Sequence, residues 1–239
     1  MKIVISGYGR MGHEVEKVAL ERGHQIVATV DNSSEWKTKA EEIKKAEMLI
    51  DFSLPETAIE VFENCFKLKI PIVTGTTGWY DKIEEVKLSC ERNKAAFFYA
   101  PNFSIGVNVF FEANKKLANM LSKAGGYRPA LEETHHIHKL DSPSGTAIRT
   151  AEDIIDEFED IRTWKNNVTD DPAFLSIVSK REGEVNGDHS VTYSSDVDEI
   201  KISHSAKSRK GFALGAVVAA EFLLGKKGFF TMNNLLAGD

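Results

Sequence analysis

Apolar positions along the first hundred residues switch repeatedly between two spacings. Short β-branched runs alternate with longer stretches in which apolar residues recur every three or four positions. Lys2 to Ser6 reads as a buried strand. Arg10 to Arg22 reads as a helix, with Met11, Val15, Val18 and Ala19 on one stripe, and Gly23 stops it. Gln25 to Val30 is a second strand, running into Asp31, and Met48 to Phe52 a third. Pro55 opens a helix to Phe66 that carries Ile59, Phe62 and Phe66 on one face. Ile70 to Val73 is a fourth strand, Trp79 to Asn93 a helix striped by Ile83, Val86 and Cys90, and Ala96 to Tyr99 a fifth strand. This alternation predicts an α/β fold in which a parallel sheet is covered by helices on both faces.

The texture changes after Pro101. Ile105 to Leu121 predicts one long helix rich in apolar and aromatic residues, Pro129 to His135 a strand, and Thr146 to Phe158 a helix. Three strand-like runs follow without helices between them: Ala173 to Lys180, Ser190 to Ser194 and Glu199 to His204. Strands in succession imply an antiparallel or mixed sheet and a second, α+β domain. Phe212 to Leu224 is a final helix, mostly small and apolar, able to return to the first domain. The expected division is therefore 1–103 completed by 212–239, with 104–211 as the second domain.

Composition narrows the class. The chain has 239 residues, 42% of them apolar, with 30 Lys and Arg against 36 Asp and Glu, a net charge of −6. That balance suits a folded globular protein and argues against a nucleic-acid surface, which needs a basic face. It leaves room for a small anionic ligand held by a local basic cluster. The two cysteines, Cys65 and Cys90, lie on predicted helices without a Cys-x-x-Cys partner, and are expected to be buried free thiols in a reducing compartment. The apolar run at Ile3-Val4-Ile5 is too short for a signal peptide, and no window approaches about 18 uninterrupted apolar residues. The expectation is a cytoplasmic protein without a membrane span.

Gly7-Tyr8-Gly9-Arg10-Met11-Gly12 is a G-x-G-x-x-G between a strand and a helix, and Asp31 ends the next strand. Alone the pattern is common. In this context Gly7 allows the tight turn, Gly9 lets backbone approach a pyrophosphate, and Gly12 permits close helix–strand packing. The pyrophosphate meets the positive end of the helix dipole, and Asp31 accepts hydrogen bonds from the adenine ribose. The first domain is thus expected to be a Rossmann-type doubly wound sheet. Asn32 follows Asp31 where an arginine would welcome a 2′-phosphate, so the cofactor leans to NADH, with Lys37 and Lys39 near enough to admit NADPH. Gly75-Thr76-Thr77-Gly78 and Ala100-Pro101-Asn102-Phe103-Ser104, each after a strand, read equally as cofactor contacts or as loops and helix caps.

The segment from Glu132 to Ala147 is the most specific. Of seven histidines, His135, His136 and His138 fall within four positions, beside Lys139, and Ser144-Gly145-Thr146 opens a helix. No Cys cluster and no His-Glu-x-x-His accompany them, so no metal is expected. Imidazole and a desolvated lysine donate protons near neutral pH, and a helix N-terminus holds a carboxylate. The segment reads as a basic pocket for a dicarboxylate. His204, Lys207, Arg209 and Lys210 form a second basic group, either a solvated patch or further cations for a ligand.

Glu133 to Ala147 resembles the signature of the dihydrodipicolinate reductase family of bacterial lysine biosynthesis. Gly7 to Gly12, Asp51-Phe52-Ser53, Gly75 to Gly78, Pro101 to Ser104 and Lys207 to Phe212 resemble other parts of the family pattern in the same order, so the likeness spans nearly the whole chain. The resemblance implies reduction of a cyclic conjugated imine dicarboxylate to tetrahydrodipicolinate by NADH or NADPH. It implies that Gly7, Tyr8, Gly9, Arg10, Met11, Gly12, Asp31, Gly75, Thr76, Thr77, Ala100, Pro101, Asn102 and Phe103 hold the cofactor. His135 would be the catalytic histidine, Lys139 the proton donor, and His136, Gly145 and Thr146 the carboxylate ligands. It further implies a homotetramer built through the second domain's sheet. Departures are small: many members carry arginine where Asn32 stands, the glycine turn is one residue shorter, and Asn32 to Lys45 is compact.

Two other classes share some of these features. An aspartate or homoserine dehydrogenase would have the N-terminal motif without the His-His-x-x-Lys and Pro-Ser-Gly-Thr run. A dinucleotide-sensing regulator would need a DNA-binding element, and the sequence offers no basic helix.

Overall fold

The computed structural model describes residues 1–238. The chain divides into two compact units, Met1–Ile105 with Lys210–Asp239, and Gly106–Arg209.

The first unit is built on strands β1 (Lys2–Ser6), β2 (Gln25–Val30), β3 (Met48–Asp51), β4 (Ile72–Thr74), β5 (Ala96–Tyr99) and β11 (Gly228–Phe230). They form one sheet in the order β11-β5-β4-β3-β1-β2, every pair parallel. Because side chains alternate along a strand, each strand feeds two cores. Ile3, Ile5, Met48, Ile50, Val73 and Phe98 point to one, against helices α1 (Arg10–Glu21) and α8 (Lys210–Leu223). Val4, Leu49, Ile72 and Phe97 point to the other, against α4 (Pro55–Leu68) and α5 (Ile83–Asn93). Near-continuous apolar runs are what a sheet buried on both faces requires. The chain steps from β1 out to β2 and then back across to β3, so the strand order reverses at the end of β1. A doubly wound sheet opens its ligand crevice at such a reversal.

The second unit holds β6 (Arg128–His135), β7 (Thr163–Lys165), β8 (Phe174–Arg181), β9 (Asp188–Ser194) and β10 (Glu199–Ser205), in the order β10-β9-β6-β8-β7. The sheet is mixed: β6 pairs parallel with β8 and antiparallel with β9. Helices α6 (Ile105–Ala124) and α7 (Gly145–Ile155) contribute Phe110, Leu121, Ala151 and Ile154 to the core that also buries Leu131, Ile177, Val191 and Tyr193. The β6–α7–β8 connection explains the parallel pair, since a parallel return needs a crossover. The α6 helix runs beyond Leu121 to Ala124 and stops at Gly125 and Gly126, both at positive φ.

The elements that the spacing did not reveal are short. They are α2 (Ser33–Thr38), α3 (Ala40–Ile43), β7, β11 and α9 (Met232–Ala237). The three helices complete fewer than two turns, and β7 and β11 are three residues long and take their form from the strands they pair with. Trp79–Lys82 is also not part of a continuous helix: a 3₁₀ turn at Tyr80–Lys82 precedes α5. Cys65 and Cys90 are both buried and free, and burial pushes the Cys65 thiol well up.

The small residues of α8 have a steric cause. A Cβ on Gly215 would stand 1.7 Å from the Phe103 carbonyl oxygen, which is backbone and cannot swing away. Gly215→Ala is therefore expected to destabilise the protein by about 1–3 kcal/mol, as overpacking does. A lowered urea midpoint at unchanged slope measures it.

Candidate active site

In the first unit the glycine turn after β1 is constrained from two sides. Gly7 sits at φ +80, and a Cβ there would lie 2.3 Å from the Phe52 carbonyl oxygen. A Cβ on Gly12 would lie 2.4 Å from the Gly7 oxygen, so α1 starts hard against the turn. Gly9 meets nothing within 4 Å and leaves the backbone open to a ligand. Asp31 Oδ1 accepts from the Tyr8 N–H at 2.5 Å, and Tyr8 Oη donates to Glu16. Next to it, a hollow is lined by Asp31, Ser33, Trp36, Ser53, Thr57 and Glu60, and the Ser53 hydroxyl there is buried without a partner. An open glycine backbone, an acidic strand end and an orphaned hydroxyl fit the ribose and pyrophosphate of a dinucleotide. Arg10 is exposed at the start of α1, and Met11 packs against the core.

The other cofactor candidates divide by which part of the residue is available. Thr76 is buried, and its hydroxyl donates to Asp51 Oδ2 at 2.7 Å, as does that of Thr74. Only the main chain of Thr76 is left for a ligand, whereas Thr77 is exposed. Asp51 thus ties the Gly75 loop to β3, and burial pushes its carboxyl up against the pull of these hydrogen bonds. Gly75 is required by the Phe52 ring, 2.2 Å from a hypothetical Cβ. Ala100 is buried with its N–H on Thr74 O, Pro101 is exposed, and Asn102 Oδ1 accepts from the Ser104 N–H. The Phe103 ring is in the core against Phe52 and Phe98, so it offers backbone only. Asn32 caps α2, accepting from the N–H groups of Ser34 and Glu35. Lys39 is spoken for: its Nζ donates to Thr29 O at 2.7 Å and pairs with Glu35.

In the second unit the inward-facing positions of three strands change from apolar to polar at one end of the sheet. After Leu131 come Glu133 and His135 on β6; before Val191 comes His189 on β9; after Ile177 comes Ser179 on β8. The His135 Nε2 lies 3.3 Å from His189 Nε2 and 3.3 Å from Glu133 Oε2. Glu133 is fully buried and also accepts from the Ser144 N–H at 3.0 Å and the Ser179 hydroxyl at 2.7 Å. Burial alone would push its carboxyl up, but the hydrogen bonds from His135, His189, Ser144 and Ser179 outweigh it and hold Glu133 well below the usual carboxylate range. Ser144 caps α7, its hydroxyl accepting from the Ala147 N–H at 3.1 Å. Gly145 is open and Thr146 half-buried at the first turn, where backbone N–H groups point outward.

Lys139 stands on the loop between β6 and α7, with Nζ 2.7 and 2.8 Å from the two oxygens of Asp141. Arg181 fastens that loop, donating from Nε to Lys139 O and from its terminal nitrogen to Asp141 O. His136 is half-buried with an unpartnered Nδ1, while His138 is exposed near Glu184. His204 pairs with His189 across β10 and β9, and burial, followed by the nearby His189, pushes its imidazole pKa down.

Glu133 and Asp51 stand in family-like segments of the sequence without an assigned role, and His189 and Arg181 were not singled out at all. Glu133 and His189 did leave a signal: both sit in phase with the core positions of their strands. The three groups Glu133, His135 and His189 also offer ligand atoms within 4.8 Å of one another, close enough to share a metal ion. Spacing along the chain could not reveal that set, because its members come from two strands.

A doubly wound sheet with this glycine turn defines a dinucleotide-binding oxidoreductase fold, here joined to a second α+β unit. The family description "Dihydrodipicolinate reductase, N-terminus" matches residues 1–103, and "Dihydrodipicolinate reductase, C-terminus" matches residues 106–236. The 4-hydroxy-tetrahydrodipicolinate reductase of Christiangramia forsetii is 46% identical over 237 residues, 99% of this chain and 98% of that protein. The enzyme of the same name from Archaeoglobus fulgidus is 33% identical over 260 residues, covering 99% of this chain and all of its own. A dipicolinate-bound dihydrodipicolinate reductase from Paenisporosarcina sp. TG-14 superposes with a TM-score of 0.83 at 21% identity, over 98% of this chain and 99% of that one. The chain belongs to the dihydrodipicolinate reductase family and is an oxidoreductase. Among the described residues, no helix is long and apolar enough to cross a membrane.

The depressed Glu133 carboxyl carries a pH signature. Its folded pKa lies below the unfolded value, so the ionised group adds stability above about pH 4.3, and that stability is lost as pH falls. Urea midpoints are expected to drop more steeply between about pH 5 and about pH 3 in the native chain than in Glu133→Gln.

Proposed function

We propose that the chain reduces 4-hydroxy-tetrahydrodipicolinate to tetrahydrodipicolinate, a step of lysine and diaminopimelate biosynthesis, and prefers NADH to NADPH. The observation that carries this reading is the run from His135 to Thr146. It joins a buried imidazole and an ion-paired lysine to a capped helix N-terminus within the second unit.

Gly7, Tyr8, Gly9, Arg10, Met11 and Gly12 receive the pyrophosphate, chiefly through main-chain N–H groups at the start of α1. Asp31 takes the adenine ribose. The main chain of Gly75, Thr76, Ala100, Pro101 and Phe103, with Thr77 and Asn102, borders the nicotinamide end. The hollow beside Asp31 supports the preference for NADH. It is lined by Asp31 and Glu60, its neighbour Asn32 is a cap, and Lys39 is tied to Thr29 and Glu35. A 2′-phosphate would meet carboxylates there rather than a cation.

His136, Gly145 and Thr146 bind the substrate carboxylates, the latter two through the N-terminal N–H groups of α7. Loss of the 4-hydroxyl group as water gives the conjugated imine ring, and the reduced nicotinamide, when bound, would supply the hydride that this ring accepts. Electron density then moves toward the ring nitrogen, and the protein must deliver a proton. Lys139 and His135 are the donors, with Asp141 holding the Lys139 ammonium in place. General acid catalysis is worth about 10²–10⁴-fold, or roughly 3–5 kcal/mol of barrier. The face of the second sheet turned away from α6 and α7 is the surface through which the chain assembles as a homotetramer, in the cytoplasm.

Two outcomes test this. Coupled to freshly formed dihydrodipicolinate synthase product, the protein is expected to oxidise NADH with a higher kcat/KM than NADPH. Loss of the reduced-nicotinamide absorbance with neither cofactor would sink the reading. Lys139→Ala is expected to lose about 10²–10⁴-fold in kcat while remaining folded.

A further inference from the structure

Two buried groups stand against His135 without a part in the reaction as described. Glu133 Oε2 and His189 Nε2 both lie 3.3 Å from the same ring nitrogen, His135 Nε2. The remaining nitrogen, Nδ1, makes no hydrogen bond to a described residue, although His135 is 8% exposed. Gly187 lies along the ring edge that carries Nδ1: it sits at φ +147, a Cβ there would stand 2.8 Å from His135 Cε1 and 3.2 Å from Nδ1, and the missing side chain leaves that edge uncovered. The His189 ring meets that of His135 edge-on, with centroids 5.1 Å apart at 72°. The imidazole is therefore fixed in orientation by groups from two strands and a loop.

The hydrogen-bond roles follow from the donors and acceptors present. Glu133 is an anion and can only accept, so the proton on His135 Nε2 is donated to it. His189 Nε2 lies 3.2 Å from the Ser144 hydroxyl and 3.6 Å from Glu133 Oε2, so its N–H faces two acceptors, and the Ser144 hydroxyl accepts from it as well as from the Ala147 N–H. The Glu133 carboxylate also accepts the Ser144 N–H at 3.0 Å. One carboxylate thus fixes both the ring that gives up a proton and the backbone that opens α7.

We propose that Glu133 and His189 are positioning residues for His135: Glu133 anchors Nε2 and offsets the ring's positive charge, and His189 locks the ring, so that Nδ1 is the nitrogen presented to the substrate. This rests on His135 being a proton donor. In the step, the Nδ1–H bond breaks and an N–H bond forms on the substrate, whose ring nitrogen carries the electron pair left by hydride addition. The imidazole ends neutral, its Nε2 proton still on the ring and hydrogen-bonded to Glu133, and solvent returns a proton to Nδ1. The arrangement follows the logic of a base–carboxylate pair in which the carboxylate orients and compensates without taking the proton.

The test is steady-state kinetics with the full-length protein on 4-hydroxy-tetrahydrodipicolinate and NADH. Glu133→Gln keeps an amide oxygen for the Ser144 N–H but has no charge. It is expected to lose roughly 10–100-fold in kcat, a part of what general acid catalysis supplies, with KM within about two-fold of native. His189→Ala is expected to lose a similar share of kcat, and His189→Asn, whose amide N–H can still donate to Ser144, to recover part of it. His135→Ala serves as the reference. Native kcat in Glu133→Gln and His189→Ala alongside an impaired His135→Ala overturns the proposal and leaves His135 as the donor. Native kcat in His135→Ala removes the reading beneath it as well. A raised KM at unchanged kcat in Glu133→Gln marks a purely structural role and also overturns it. So does activity abolished by a chelator and restored by zinc, which makes the three groups metal ligands instead.

Discussion

An ionised carboxylate taken out of water has to be met by donors, or it destabilises the fold around it. Glu133 is the deepest such group in the second unit, and its donors arrive from β6, β8, β9 and the residue that caps α7. Satisfying that one charge therefore aligns three strands and sets where α7 begins. The polar end of the sheet is the price of this arrangement, since Leu131, Ile177 and Val191 show that the same face is otherwise apolar. Energetically such a site favours one geometry over near alternatives, because a shifted strand would leave the charge unpaired.

The first unit solves a different problem, close approach of backbone. The turn at Gly7 is pressed by the Phe52 carbonyl, α1 by the Gly7 carbonyl, and α8 by the Phe103 carbonyl at Gly215. Each contact excludes a side chain, and together they bring helix and loop termini to the end of the sheet where the strand order reverses. Asp51 binds the loops after β3 and β4 to each other through Thr74 and Thr76. Within the turn after β1, Gly7 and Gly12 are required by packing, whereas the missing side chain of Gly9 leaves space for a ligand.

Much of this was legible along the chain. Strands β1, β2, β3 and β5 and helices α1, α4 and α5 were visible because each is an apolar run or stripe bounded by turn or cap residues, and β4, only three residues long, because the apolar run from Ile70 continues into it. The mixed sheet of the second unit followed from strands in succession. The His135–Lys139 and Ser144–Thr146 run was conspicuous because it concentrates rare residue types within a few positions. Short elements such as β7 and β11 were not visible, since three residues show no period and β11 exists because β5 offers it an edge.

The sequence by itself determined the class of fold, the glycine turn with its acidic strand end, and the family through the central run of residues. These depend on local order: periodicity, caps and motifs lie within a few positions of each other. Only the tertiary structure decided which atoms of those residues are available. It turned the Thr76 hydroxyl and the Phe103 ring inward, engaged Lys39 with Thr29 and Glu35, and set Asp141 on Lys139. It also brought His189 to His135 from more than fifty positions away. Contacts of that kind are fixed by strand register across the sheet, which depends on packing of both faces at once and leaves no short-range trace except the phase of Glu133 and His189 with the core.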